Sequence, residues 1–226
     1  MNIMTLVNAL PGAAAQGLIW GIMAIGVYLT FRILDVADLT VDGTMCTGGA
    51  VCIMMLMSGH SMFASMIAAT CAGMLAGLAT GIFHTFMGIP AILAGILTQL
   101  GLYSVNLKIM GKANQAVNGN KYNLLVSLRN VKNVPFYQNT ILIVAIFIVV
   151  LIAILYWFFG TELGCSLRST GCNPNMSRAQ GINTDVCKVL GLMISNGLVA
   201  LSSALLAQYQ GVADINMGRG SIVIGL

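Results

Sequence analysis

The sequence contains very few charged residues. Only 7% of its 226 residues are Asp, Glu, Lys or Arg, whereas soluble globular domains contain about 25%. A chain with so few charges cannot cover a folded surface with groups that bind water, so the composition excludes a soluble protein. With 58% hydrophobic residues and a mean hydropathy of +0.92, the composition indicates an integral membrane protein.

Patterns typical of catalysis, metal binding and nucleic-acid binding are missing as well. No GxxxxGK[ST] phosphate loop occurs, so this chain does not itself hydrolyse ATP. A membrane-embedded enzyme would need a cluster of catalytic groups. The sequence has two separated histidines, His60 and His84, and no intramembrane carboxylate pair, which argues against such an enzyme. The six cysteines lack the spacing of zinc ligands and are interpreted as structural thiols. We predict no catalytic residue, metal site or cofactor in this chain, and no nucleic-acid partner, since no basic run with interleaved aromatics occurs.

Long apolar runs separated by polar segments predict an all-α, polytopic helical membrane protein. We expect one transmembrane domain over residues 1–226, with at least six spans and a further span cut off after Ile222. Met1–Gln16 is predicted to be a short interfacial segment. The predicted spans are Gly17–Leu34, Leu39–Met57, Met62–Phe83, Ile89–Met110, Asn139–Phe159 and Val189–Ala207.

Half of the chain's six acidic residues lie within eight positions where the first span ends and the second begins, at Asp35, Asp38 and Asp42. One interpretation is a solvated turn in which Asp38 or Asp42 is the N-cap of the next helix. The alternative is a helix start that points into a translocation pathway, because charges beside membrane spans often have functional roles. Asn196 is the main polar group of the sixth span.

Two helical patterns point to contacts within the membrane. Gln99, Tyr103 and Asn106 follow one another at intervals of four and three, so they share one face of the fourth span. That face either makes hydrogen bonds to other helices or lines the solute pathway. Gly73, Gly77 and Gly81 repeat at intervals of four, a spacing that lets another helix approach closely.

The polar stretch Gly160–Lys188 separates two apolar runs and contains a short helix defined by its capping residues. Asn173 can cap its start, Pro174 suits the first helical position, and Gly181 supplies the left-handed stop after Gln180. The helix Pro174–Gln180 carries Met176 and Arg178. Two turns are too few to be stable alone, so we expect this helix to dock on another protein.

The pattern TxLGxxLRSTGxNPxxSRxxGIN in this stretch resembles the cytoplasmic loop of ABC importer permeases that serve branched-chain amino acids, ribose and related solutes. Gly17–Thr44, Gly88–Val105 and Leu198–Ser221 resemble the same family in the same order. The resemblance implies that Asn173, Pro174, Met176, Arg178 and Gly181 form the coupling helix, with Met176 as an apolar anchor and Arg178 as a charge contact. It also implies an ATPase subunit that binds ATP and Mg and an extracytoplasmic solute-binding protein. A second permease subunit, either a second copy in a homodimer or a close relative, is implied within the lipids of the bacterial plasma membrane.

The substrate and the orientation follow less directly. The DLTVDG segment resembles a branch assigned to amino acids, including aromatic ones such as tryptophan or tyrosine. An importer of a nucleoside, sugar or vitamin and an ion-coupled secondary transporter are the alternatives. Counting Lys and Arg gives five in or next to Gly111–Gln138 but three in Gly160–Lys188, which would make the first loop cytoplasmic. The resemblance requires the reverse, and we follow it.

Overall fold

The computed structural model describes residues 3–117 and 140–225, and the side chains from Leu10 onward. A π-helical turn, Leu29–Ile33, continues the first helix. The described part is helical apart from connections and one pair of short strands, so the predicted all-α class is confirmed. In chain order the elements are α1 (Ile3–Tyr28), α2 (Val41–Met57), α3 (Met62–Thr85), α4 (Ala91–Met110), β1 (Asn114–Ala116), α5 (Thr140–Phe159), α6 (Glu162–Cys172), α7 (Pro174–Ala179), α8 (Thr184–Gln210), β2 (Val212–Asp214) and α9 (Ser221–Gly225).

Five of the described helices are long and apolar enough to cross a membrane: α1 with its π turn, α3, α4, α5 and α8. The predicted second span forms α2, which is apolar but has only 17 residues. At 1.5 Å per residue it is about 25 Å long, somewhat less than the ~30 Å hydrocarbon core. The count of at least six spans stays a prediction.

The first helix differs from the prediction. Residues Ile3–Gln16 belong to α1, and the stretch that can cross a membrane begins at Leu10, so the expected interfacial segment before Gly17 is wrong over residues 10–16. No charged residue interrupts this stretch, and tertiary contacts stabilise it. The hydroxyl of Tyr209, near the end of α8, donates to the carbonyl oxygen of Gly12 at 2.9 Å, and Ala15 is fully buried.

Helix α8 lies at the centre of the bundle and packs on α1, α2 and α3. In the most apolar 18-residue stretch of each helix, 72% of the α8 residues are buried, compared with 11% of those in the peripheral α5. A β-carbon on Gly77 would collide with the carbonyl oxygen of Leu192, and one on Gly73 with Ala200. Gly73, Gly77 and Gly81 form a glycine ridge on α3. The close helix contact predicted for this ridge is therefore confirmed, and the partner helix is α8.

The two ends of the bundle carry different structures. At one end β1 and β2 form an antiparallel pair, with Asn114 opposite Asp214, which joins the chain segments that follow α4 and α8. At the other end α6 buries Leu167 in a cluster with Leu34 and Leu192. This arrangement places α6 and α7 at the opposite end from the β1–β2 pair.

Candidate functional site

Asp38 lies in the linker 34–40 between the π turn and α2, and it is only 1% exposed. Its Oδ1 accepts a hydrogen bond from the backbone N–H of Thr40 at 2.9 Å. Its Oδ2 accepts one from the Asn196 side-chain amide at 2.7 Å. Burial raises the pKa of this carboxyl group, because desolvation outweighs the effect of the hydrogen bonds from Thr40 and Asn196.

The hydrogen bonds continue from Asn196 and Thr40 into a buried polar network. The Thr44 hydroxyl donates to Asn196 Oδ1 at 2.7 Å. The hydroxyls of Thr40 and Thr80 are 2.7 Å apart, and Thr80 donates to Thr98 at 3.0 Å. The network ties the linker to α2, α3, α4 and α8. Two predicted pathway residues, Asp38 and Asn196, thus meet inside the helix bundle, where they hold helices together.

The prediction that Asp38 or Asp42 caps the next helix is wrong. Thr40 occupies the N-cap of α2 and makes no side-chain capping bond. Asp42 Oδ1 instead accepts from the Ser221 hydroxyl at 2.8 Å and from Ile222 N–H at 3.2 Å. Its Oδ2 accepts from Gly220 N–H at 3.1 Å. Asp42 therefore satisfies N–H groups at the start of α9, a partner 178 residues away that no local pattern reveals.

The other predicted pathway residues line one cavity of about 230 Å³ between α2, α4 and the segment after β2. Gln99 lies eight residues into α4, about 12 Å from its first residue, so the cavity lies at membrane depth. Asp42, Gln99, Tyr103 and Asn106 are thus brought together, as the sequence predicts for the last three. The lining residues are Asp42, Gly43, Cys46, Gln99, Leu100, Tyr103, Asn106, Ile215 and Arg219.

Two groups in the cavity wall lack partners within the described part of the chain. Asn106 is fully buried, yet its Oδ1 accepts no hydrogen bond, and its Nδ2 is 3.5 Å from the Gly43 carbonyl oxygen. Leaving such an oxygen unsatisfied costs about 1–3 kcal/mol. Arg219 has an exposed side chain and is absent from the described ion pairs, where Arg178–Asp185 appears. Arg219 was not identified from the sequence, although an arginine three residues before the apolar run that begins at Ile222 was a usable signal.

The short helix at the other end has the predicted local geometry. Asn173 Oδ1 accepts from Met176 N–H at 3.1 Å, Pro174 is its first residue, and Gly181 has a φ of 84°. The helix ends at Ala179, and Gln180 is its C-cap. Met176 is 54% exposed, so its apolar side chain is available to a partner.

Arg178 makes contacts within the chain. Its Nε donates to the Thr184 hydroxyl at 2.7 Å, and its Nη2 is 3.1 Å from Asp185 Oδ1. These bonds hold α7 against the first turn of α8. The predicted role of this residue is a charge contact with a partner protein, and the structure shows that part of its bonding capacity is already used within the chain.

Helix α6 was not predicted, although Thr161 provides a cap by accepting a hydrogen bond from Gly164 N–H at 3.4 Å. A β-carbon on Gly171 would collide with the Ile33 carbonyl oxygen. Helix α6 therefore contacts the end of the π turn at Ile33, and α7 follows α6 directly in the chain. Among the described residues no group of three or more His, Cys, Asp or Glu side chains could hold a metal ion.

Comparisons with known proteins identify relatives over almost the whole chain. The family described as "Branched-chain amino acid transport system / permease component" matches residues 10–226. A tyrosine transport system permease protein of Clostridioides difficile is 40% identical over 211 residues, which are 93% of this chain and 68% of that protein.

Two further relatives have other descriptions. An uncharacterized protein of Rickettsia prowazekii is 36% identical, over 97% of this chain and 75% of that protein. An autoinducer 2 import system permease protein of Yersinia pseudotuberculosis is 30% identical, over 92% of this chain and 56% of that protein. No solved structure matches the chain.

Proposed function

Since the chain belongs to the family of branched-chain amino acid transport permease components, we propose that it carries an amino acid of the aromatic class into the cell. As a permease subunit of an ABC transport system it is a multi-pass protein of the bacterial cell membrane. The observation that carries the substrate proposal is the 40% identity, over 93% of the chain, with a tyrosine transport system permease.

The cavity lined by Asp42, Gln99, Tyr103 and Asn106 is the part of the molecule that we assign to the pathway. Polar side chains at membrane depth are stable only against protein or water, and they commonly mark solute pathways. A second permease copy, in a homodimer, would close the open side of this pathway. Asp38 and Asn196 do not line this cavity. They would support it indirectly, by fixing the linker that precedes α2.

We further propose that α7 is the coupling helix and docks on an ATPase subunit in the cytoplasm. The exposed Met176 supplies an apolar anchor, while Arg178 fixes the helix to the start of α8. ATP and Mg would bind to the ATPase, and its closure would push on α7. The contact of Gly171 with Ile33 then offers a physical route to the linker and its buried network.

A soluble binding protein would deliver the solute on the outside, which is the side of the β1–β2 pair in this orientation. A nucleoside, sugar or vitamin is the second candidate substrate class. A relative described as an autoinducer 2 import permease, at 30% identity, shows that similar permeases are not confined to amino acids. An ion-coupled secondary transporter is disfavoured because α3 and α5 contain no Asp, Glu, Lys or Arg.

Reconstitution tests the proposed function. The full-length permease is purified with the ATPase and the binding protein from the same organism and placed in proteoliposomes. ATP-dependent uptake of radiolabelled L-tyrosine is then measured, with excess unlabelled tryptophan, leucine, ribose or adenosine as competitors. We expect tyrosine uptake that only the aromatic amino acid suppresses. Uptake that is independent of ATP, or suppressed only by ribose or adenosine, would contradict the proposal.

A further inference from the structure

The cavity contains a cation that the described part of the chain leaves without an ion pair. Arg219 lies in the cavity wall on the turn between β2 and α9. The backbone beside it is held firmly, because Asp42 accepts hydrogen bonds from Gly220 and Ile222 N–H and from the Ser221 hydroxyl. A free guanidinium on a fixed backbone is suited to bind a carboxylate, to which it can donate two parallel hydrogen bonds.

The same cavity contains an acceptor without a donor. Asn106 is fully buried and its Oδ1 has no partner within the described chain. Both carboxylate oxygens of Asp42, the acidic residue in the cavity wall, already accept hydrogen bonds from residues 220–222. The unsatisfied acceptor in the wall is therefore the Asn106 amide oxygen.

A donor and an acceptor that both lack partners in one small cavity complement a solute with both kinds of charge. We propose that this cavity recognises the zwitterionic head of an α-amino acid, with Arg219 binding the carboxylate and Asn106 Oδ1 accepting from the ammonium group. The inference rests on the proposed function and adds the residues that select for an amino acid. At about 230 Å³ the cavity is smaller than typical drug-sized pockets, which suits a small solute.

The test needs a probe of solute binding that does not depend on transport. Leu100 lines the cavity and is 66% exposed. In the full-length permease, with its own cysteines replaced by alanine, Leu100→Cys is labelled with a small thiol reagent in the presence of three compounds. They are L-tyrosine, tyramine, which lacks the carboxylate, and 3-(4-hydroxyphenyl)propionate, which lacks the ammonium group.

We expect L-tyrosine to slow labelling at concentrations about tenfold or more below those needed for either analogue, since each analogue loses one charge-assisted interaction. In Arg219→Gln, tyrosine and tyramine should protect equally. In Asn106→Ala, tyrosine and 3-(4-hydroxyphenyl)propionate should protect equally. Arg219→Lys should keep part of the preference, and the control Arg32→Gln, which removes a charge outside the cavity, should behave as the parent.

Several outcomes would overturn the inference: equal protection by all three compounds in the parent, no protection by any of them, or an unchanged preference in Arg219→Gln. As a second measurement in the chain with its native cysteines, ATP-driven tyrosine uptake should fall at least tenfold in Arg219→Gln. Absence of ATP-driven uptake in the wild type would contradict the proposed function alone, because the protection pattern is read independently.

Discussion

The side-chain amide of Asn196 on α8 donates to the buried carboxylate of Asp38 at 2.7 Å. These residues are 158 positions apart, and their contact fixes the linker before α2 to the central helix of the bundle. Asn196→Ala removes the donor and leaves the carboxylate oxygen unsatisfied. We expect a loss of about 2 kcal/mol in the free energy of unfolding, which corresponds to roughly 4–8 °C in Tm.

The measurement is thermal unfolding of the purified permease in detergent. Asn216→Ala is the matched control, since Asn216 is exposed on the turn after β2. Equal Tm values for the two variants would show that the hydrogen bond between Asp38 and Asn196 does not stabilise the bundle.

Local features of this fold could be predicted from the sequence. The caps of α7 depend on Asn173, Pro174 and Gly181, which act within a few residues of one another. The repeat of Gly73, Gly77 and Gly81 likewise indicates a close helix contact, because the spacing alone puts them on one ridge.

Features that depend on distant partners could not be predicted. The role of Asp42 is set by residues 220–222, and only the tertiary fold brings them together. The glycine ridge does not reveal that its partner is α8, and Asn106 shows its unsatisfied oxygen only when its neighbours are placed. Arg219 carries a sequence signal, its position just before an apolar run, but only the tertiary fold places it in the cavity wall with Asn106.

The glycine ridge of α3 gives a second prediction. A β-carbon on Gly77 would collide with the Leu192 carbonyl oxygen, so Gly77→Ala should push α3 away from α8 and lower the Tm by several degrees. Gly21→Ala in α1 is the control, because a β-carbon there meets nothing within 4 Å. Since alanine favours a helix by about 1 kcal/mol over glycine, the control should be neutral or slightly stabilised. A Gly77→Ala chain as stable as the control would contradict the close contact.

The hydrogen bonds of Asp42 predict a local effect on the start of α9. Asp42→Ala removes acceptors for Gly220, Ser221 and Ile222, so amide hydrogen exchange in residues 220–225 should become at least tenfold faster. Asp42→Asn, which keeps one acceptor oxygen, should give an intermediate rate. Unchanged exchange in Asp42→Ala would show that other contacts hold this segment.

The proposed orientation can be tested by chemical labelling. Asn175 on α7 and Lys112 before β1 are both exposed and lie at opposite ends of the bundle. In a cysteine-free chain, Lys112→Cys should react with a membrane-impermeant thiol reagent in intact cells. Asn175→Cys should react only after the membrane is permeabilised. The opposite pattern would place α7 outside, as the count of Lys and Arg suggests, and would exclude its contact with a cytoplasmic ATPase.

The coupling role of α7 predicts a loss of uptake without a loss of folding. Met176→Asp places a charge in the proposed apolar contact with the ATPase, where burying an unpaired charge is costly. Uptake and solute-stimulated ATP hydrolysis should fall at least tenfold, and less ATPase should copurify. Met87→Asp is the matched control. Met87 is also exposed (63%, against 54% for Met176), and it follows the end of α3 that lies beside the start of α8.

Gly181 tests the same contact through the backbone. Its φ of 84° is strained for a β-branched residue, although a β-carbon there would meet no neighbour. Gly181→Val should therefore misdirect α7 and reduce uptake, whereas Gly181→Asn should keep most of it, because asparagine tolerates the left-handed conformation. If both Met176→Asp and Gly181→Val retain full uptake and bind the ATPase, α7 is not the main coupling element. The force of ATPase closure must then enter the permease through another surface at this end of the bundle.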